Sequence, residues 1–523
     1  MRETLRCLGA DCPRCGARTR ARYDNRRTVA TLDGLIRLTL KVRRCRSPDC
    51  NKAYRPEAEG SYALPQHEFG LDVIALIGAL RYREHLSVPE IALRLNARPA
   101  LAICERTVTN LLDRYDELLA TSLADDVRLR SLTTKQGRVI LALDGLQPDV
   151  GHEVLWVLRD CLSGEVLLTR SLLSGCERDL APLLREVAGT LTVPIAGVVS
   201  DGQQSIRRAV ASALPGVPHQ LCQFHYLREA ARPIYEADRH AKKELKKRVR
   251  GVRPLERALE ARDDAEAEAA RGYCAAVRSA ITDDGRPPLA ASGLKLHGRL
   301  TEVSESLARV EQKKGLPPEL TKLKRLVDKG LRETAPLWPD VRRAFAWVHR
   351  AAEILNADDG SAGPAGADAV RRRLGGLTGA MRRHRSRAGR LIPAVDYFLK
   401  VTRSYWPGLF HAYSTPDLPR TNNDLKQLFG SYRWHERRIA GRKTASPALV
   451  ERGSVRLPAA LATGRRAYAS ADLAPIDVAA WRRLRTELNA RRETRRRRTR
   501  FRRDPRAFLA RLERDLLQPA LPA

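Results

Sequence analysis

Between residues 138 and 225, short apolar runs are separated by turn residues and helix-patterned stretches, which commits this part of the chain to a sheet with helices packed on it. Residues 138–144 (Arg-Val-Ile-Leu-Ala-Leu-Asp) close on Asp144 and Gly145, the pattern of a buried strand that delivers an acid into a site. Residues 153–159 and 165–173 read as the second and third strands, joined through Ser163-Gly164, a pair suited to a tight antiparallel turn. From Asp179, the spacing of Leu180, Leu183, Leu184 and Val187 predicts a helix with an acid at its positive end. Residues 195–200 give a fourth strand ending on Asp201-Gly202, residues 205–214 a second helix, and residues 219–224 a fifth strand. Three antiparallel strands, a helix, a strand, a helix and a strand is the order of a ribonuclease H-like core, in which the first and fourth strands are neighbours. Asp144 and Asp201 are therefore expected to meet as a catalytic pair. Paired carboxylates suit Mg²⁺ or Mn²⁺, hard ions that take oxygen ligands and phosphate, and two such ions clamp both oxygens of a phosphodiester displacement.

The charge balance points the same way. Lys and Arg number 95 against 61 Asp and Glu in 523 residues, a formal charge of +34, and so large an excess calls for a polyanionic partner, nucleic acid first. An anionic membrane is the rival, yet no run of about 18 apolar residues occurs, and residues 1–10 are polar and charged rather than a secretory signal. The expectation is a soluble cytoplasmic chain associated with the nucleoid, without membrane contact. The ten cysteines do not form a disulfide framework, because four of them cluster in two pairs: Cys12-Pro-Arg-Cys15 and Cys45-Arg-Ser-Pro-Asp-Cys50. A hairpin between the pairs, with strands at 28–29 and 35–42, gives the layout of a zinc ribbon, in which four thiolates hold one structural Zn²⁺. So short a domain with few large apolar residues needs such a staple. Cys7 is a spare thiol nearby, and the arginines and lysines around the pairs suit phosphate contact.

Residues 71–119 read as helices: an apolar stretch at 71–80, a helix opened by Ser87-Val-Pro-Glu90 and running to Leu95, and another at 106–119. The start of the last carries Arg106, Thr107, Thr109 and Asn110, so the segment reads either as a DNA-binding helix-turn-helix or as a helical bundle linking two domains. After the fifth strand, Cys222-Gln-Phe-His225 supports two readings: a buried cysteine with a satisfied histidine, or a histidine beside the scissile phosphate. Residues 226–406 are predominantly helical, with basic runs such as Lys242 to Arg248, a Gly-rich break at 358–368 and a basic stretch at 371–390. Residues 482–503, with Arg495 to Arg498 consecutive, read as a solvated basic arm for nucleic acid, followed by a short amphipathic helix at 506–517.

The remaining motif is Arg420-Thr-Asn-Asn-Asp-Leu-Lys-Gln-Leu-Phe429, followed by the basic run containing Arg437, Arg438, Arg442 and Lys443, candidates for DNA contact. Taken with the paired cysteines, the helix-turn-helix pattern, Leu143-Asp144-Gly145, Ser200-Asp201-Gly202 and Cys222-x-x-His225, this block resembles bacterial transposases of the Asp-Asp-Glu (DDE) class, and more distantly the Mutator-like ones, over residues 12–453. The resemblance implies a multidomain α+β chain: zinc ribbon (1–60), helix-turn-helix (61–130), first part of a ribonuclease H-like core (131–230), all-helical insertion (231–405), the region of the last catalytic helix (406–460) and a basic C-terminal tail (461–523). It also implies strand cleavage and strand transfer at the ends of a mobile element, double-stranded DNA as partner, and a homo-oligomer on that DNA. In that family the block reads Thr-Asn-Asn-x-x-Glu, and the Glu is the third metal-binding acid. Here Lys426 stands in its place, and an ammonium has no lone pair for a metal. Asp424 lies about 200° around a helix from that position and Glu436 about 15 Å along it. Asp424 is the first substitute to consider, with His225 as a further catalytic candidate, and Asp149 and Glu153 near the first strand's exit are weaker ones. Two expectations follow: an active transposase, or a catalytically impaired relic that binds DNA or represses.

Overall fold

The computed structural model describes residues 1–99, 101–147, 153–356, 364–441, 447–474 and 478–518. In chain order, strands β1 (Arg2–Arg6), β2 (Thr19–Thr31), β3 (Gly34–Cys45) and β4 (Ala53–Tyr54) precede helices α1 (Leu71–Tyr82), α2 (Val88–Asn96), α3 (Glu105–Leu123) and α4 (Asp126–Gln136). Then come β5 (Val139–Leu146), β6 (Val154–Asp160), β7 (Val166–Leu172), α5 (Glu177–Thr190), β8 (Ile195–Ser200), α6 (Gln204–Ala213), β9 (His219–Leu221) and α7 (Gln223–Ala230). A long helical stretch follows, and the chain closes with α8 (Asn423–Ala440), α9 (Pro447–Arg465), α10 (Val478–Arg503) and a last helix at Pro505–Leu517. The architecture is mixed α+β with two mixed sheets, ordered β1-β3-β2 with β4 also on β3, and β7-β6-β5-β8-β9. The fifth strand is shorter than expected: it stops at Leu221, and Gln223 already begins α7.

The chain divides into two compact units, the first comprising residues 1–195, 212–214 and 423–523. Its N-terminal sheet is a hairpin much longer than the cysteine spacing suggested, β2 pairing with β3 from Thr19↔Cys45 to Thr31↔Gly34 across a two-residue turn. Asp72 of α1 accepts a hydrogen bond from the turn's Leu32 N at 2.7 Å, tying sheet to helices. The second helix starts on the expected capping box, with Ser87 N donating to Glu90 Oε2 at 2.7 Å. Helices α1 and α3 cross at Gly78, where a Cβ would stand 2.2 Å from the Tyr115 ring, so no side chain fits there. Their apolar faces, including Leu71, Ile74, Ile77, Val108 and Leu112, share one core with Ala459 of α9 and Trp481 of α10.

The C-terminal region therefore differs from the basic arm that its composition suggests. Trp481 and Leu488, seven residues apart and buried, form the apolar seam of a helix whose other faces carry the arginines. Facing this seam, α3 buries Asp113, Asp116 and Glu117. Arg452 of α9 pairs with Asp113 at 3.1 Å and Glu117 at 3.0 Å, and Arg456, one turn on, pairs with Asp116 at 3.2 Å. Tyr82 donates to Asp116 at 2.6 Å, Trp481 Nε1 to Glu117 at 3.0 Å, and Arg492 of α10 pairs with Asp113 at 3.1 Å.

The second unit holds residues 196–211 and 215–422. Parallel β8 and β9 pair from Val198↔His219 to Ser200↔Leu221. Helices at Arg232–Arg248, Val252–Leu259, Ala265–Thr282, Ser292–Lys314 and Pro318–Thr334 build one apolar core around Leu245, Val277, Leu300 and Leu323. Those at Trp338–Asn356, Pro364–Arg383 and Ile392–Tyr405 build another with α7, around Tyr226, Phe345 and Phe398. Asp238 anchors the start of Ser292–Lys314 by accepting from Gly293 N at 2.7 Å and Leu294 N at 2.9 Å. No helix among the described residues is long and apolar enough to cross a membrane.

Without Arg452, Asp113 keeps Arg492 and Glu117 keeps Arg114, so the cost falls short of that of a wholly unpaired buried charge, at about 1–3 kcal/mol. Denaturant unfolding of Arg452→Ala should show the first unit weakened on that scale, and removing the acids as well (Asp113→Asn, Glu117→Gln) should recover part of the loss.

Candidate functional site

The sulfur atoms of Cys12, Cys15, Cys45 and Cys50 lie within 4.8 Å of one another, and none of the four is in a disulfide. Four thiolates at about 2.3 Å from one tetrahedral ion stand about 3.8 Å apart; here Cys12 and Cys50 are 3.7 Å apart and Cys15 and Cys45 3.5 Å. Two loops present the sulfurs. In the first, Gly16 (φ +71) takes the left-handed turn and its N–H donates to Cys12 O at 2.9 Å. In the second, Asn51 (φ 43) does the same and donates to Ser47 O at 2.9 Å, while Ser47 N–H points at Cys45 Sγ at 3.4 Å. Burial pushes the Cys45 thiol up to about 12 with the neighbouring thiols adding to the effect, whereas hydrogen bonds from Tyr54 and from the Arg14 and Cys15 backbone outweigh burial at Cys12 and bring it down to about 6. The set could hold a structural zinc ion. Cys7 stays outside it, its sulfur 3.8 Å from Lys41 O and from Tyr54 O. The Tyr54 hydroxyl meets Cys12 Sγ at 2.9 Å, a neighbour that nothing in the cysteine spacing reveals.

In the first unit, Asp144 lies in β5 opposite Val157, largely buried, with Oδ1 accepting from Gly145 N at 2.8 Å. Helix α8 packs against β5. Its first turns bury Leu425, leave Lys426 half-buried and expose Asp424. Asp424 acts on Cys161, whose thiol burial pushes up to about 12 with Asp160 and Asp424 adding to the effect. Cys161 N bonds to Ile140 O, four residues before Asp144 and hence about 13 Å along the strand. Glu436 is buried against Tyr432, whose hydroxyl donates to it at 3.1 Å, and Glu153 is paired with Arg491. Asp149 lies outside the described residues.

In the second unit, Asp201 follows β8 directly and its Oδ1 accepts from Gln203 N at 3.0 Å. The Tyr405 hydroxyl donates to Asp201 O at 3.1 Å, and the Tyr405 ring lies 2.7 Å from the point where a Cβ on Gly202 (φ +81) would stand. Cys222 is fully buried; its N donates to Ser200 O at 2.8 Å, and its sulfur accepts from Asn422 N at 3.3 Å. Gln223 N donates to Arg420 O at 3.0 Å. Three motifs far apart in sequence, Ser200-Asp201, Cys222-x-x-His225 and Arg420-Thr-Asn422, are thus joined in one place. Cys222 acts there as a packing and hydrogen-bonding residue, and His225 sits in the first turn of α7.

Of the DNA-contact candidates, Arg106, Thr109 and Asn110 are exposed on the first turns of α3, and Thr107 is half-buried with its hydroxyl 3.3 Å from Cys104 Sγ. The connection from α2 to α3 spans eight residues, longer than a tight helix-turn-helix, and is pinned by Asn96, which bonds Ile103 N and O at 2.8 and 2.9 Å. Arg437 and Arg438 are exposed on α8, and Arg442 and Lys443 lie outside the described residues. Among the described residues, the four cysteines are the one cluster of three or more metal-ligating side chains. No protein-family model matches the chain, and no curated protein matches it either.

Metal analysis of the purified chain should find one zinc per protein. Cys45→Ser combined with Cys50→Ser should abolish it, and a double variant retaining full zinc would refute this ligand set.

Proposed function

We propose that the chain is a DNA transposase of the DDE class, which cuts strands at the ends of a mobile element and joins them to target DNA. The observation that carries this reading is the element order β5-β6-β7-α5-β8-α6-β9, with Asp144 in the first strand and Asp201 immediately after the fourth. On this reading Asp144 and Asp201 would hold Mg²⁺ or Mn²⁺, each carboxylate oriented by a backbone N–H on one oxygen. A divalent ion held by these two carboxylates would supply an activated water and charge neutralisation at the leaving oxygen. The cysteine cluster with zinc would brace the N-terminal sheet, α3 would enter the major groove with Arg106, Thr109 and Asn110, and Arg437 and Arg438 would hold phosphates. The protein would work in the cytoplasm on nucleoid DNA, as a homo-oligomer that pairs two element ends.

A second reading is favoured by Lys426. The helix that carries it packs on β5, and a lysine at the position of the expected third acid gives the metal one ligand fewer and a repelling charge. The chain would then be a transposase relic that binds DNA or represses without cutting it.

Nicking of a supercoiled plasmid bearing terminal-repeat DNA separates the two. If Lys426 disables the site, Lys426→Glu should raise metal-dependent nicking by about 100-fold, the scale of restoring one charge-stabilising group. Asp144→Asn should abolish whatever activity there is. Equal nicking by the parent and Lys426→Glu, lost in Asp144→Asn, would sink the relic. Both readings require DNA affinity to fall steeply with salt, and a flat response in an anisotropy titration would count against both.

A further inference from the structure

Two arginines converge on one carbonyl at the turn between β6 and β7. Arg159 of β6 donates from Nε to Gly164 O at 3.0 Å, and Arg465, the last residue of α9, donates from Nη2 to the same oxygen at 2.9 Å. Both Nη2 atoms stand 2.8 Å from the point where a Cβ on Gly164 would project, so they are no farther apart than twice that distance. Guanidinium groups do not titrate in proteins, and two so close repel each other unless an anion joins them.

Two of the nearby acids, Glu165 and Asp160, are engaged elsewhere. Glu165 is paired with Arg128 at 2.9 Å. The Asp160 carboxylate accepts from Ile140 N at 3.1 Å, Ser163 N at 2.8 Å and Gln136 Nε2 at 2.9 Å. Among the described residues, no carboxylate oxygen forms an ion pair within 4.0 Å of either guanidinium.

The pair borders an open cavity of about 680 Å³ in the first unit, whose lining includes Arg83, Gln427 and Ser431 and, among the described residues, Asp424 as its one acid. His435, buried, also lines it and has no hydrogen-bond partner at Nε2. Burial holds that imidazole down to about 3, so it is neutral and adds no charge to the lining.

We propose that this cavity is a phosphate-binding site, with the phosphate seated against Arg159 and Arg465 and its ester substituent in the cavity. Planar guanidinium forks match phosphate oxygens, and the site adds an anion where the fold leaves two cations together. It needs neither catalysis nor a metal, so it does not depend on the proposed strand cleavage; only its DNA arm rests on the DNA-binding part of that reading. The phosphate could belong to DNA or to a free phosphate or nucleotide.

The test uses the full chain and its Arg159→Gln, Arg465→Gln variant. Thermal unfolding is followed with and without inorganic phosphate at constant ionic strength set by chloride, and duplex DNA binding by anisotropy across a salt series. Phosphate should raise the midpoint of the parent and leave the variant unmoved. If the phosphate is DNA's, the variant should also bind duplex about 10-fold more weakly, with the salt slope reduced by about two. If duplex binding is unchanged while the phosphate shift is lost, the ligand is a free phosphate or nucleotide. A variant that matches the parent in both measurements overturns the proposal. Should the double variant fail to fold, Arg465→Gln, at an exposed residue, decides by the same two measurements.

Discussion

Three carboxylates of one helix, Asp113, Asp116 and Glu117, are held where water does not reach, and two of the arginines that neutralise them arrive from Arg452 and Arg456, more than three hundred residues later. Each buried charge forfeits several kcal/mol of hydration, which its partner recovers only at close range and with further hydrogen bonds. Tyr82 and Trp481 provide those bonds to Asp116 and Glu117. The consequence is an obligatory docking of α9 and α10 on the N-terminal helices. An apolar face could slide by a turn at modest loss, whereas a turn's slip here would leave charges of both signs buried and unpaired. This clasp makes the two ends of the chain a single compact unit. Through α9 it also fixes where α8 returns to β5, and so the placement of position 426.

What was legible in the sequence is what local chemistry decides. The Asp-Gly pair ended β8 at Ser200, where it was expected, and Ser87 with Glu90 opened α2, because a strand exit and a capping box are decided within a few residues. The cysteine knuckles were legible for the same reason. The clasp was not, because Asp113, Asp116 and Glu117 at helical spacing look like a solvated face until their partners are found. The hairpin of β2 and β3 was underestimated because its outer positions alternate with arginines, so that only the few apolar residues at its centre read as strand. Helix α10 was hidden similarly: Trp481 and Leu488 are a thin seam in an arginine-rich run. The joining of Asn422 to Cys222 and of Arg420 to Gln223 could not be read from either motif alone, although each motif was recognisable.

If the proposed transposase reading holds, its chemistry turns on one charge, at position 426. Exchanging a carboxylate for an ammonium at position 426 moves the local charge by two units and removes a hard oxygen donor from a site that would need to hold dications. It also supplies a fixed cation on a helix packed against the strand of Asp144. A buried carboxylate needs positive charge nearby, and in a three-acid site a metal provides it; a lysine provides it permanently and without binding equilibrium. On that reading, a lysine at position 426 would weaken metal binding and at the same time balance the buried carboxylate. On the relic reading proposed above, that is the direction expected, and α8 keeps its packing, with Leu425, Leu428 and Phe429 buried, around a lysine where the resemblance would put an acid.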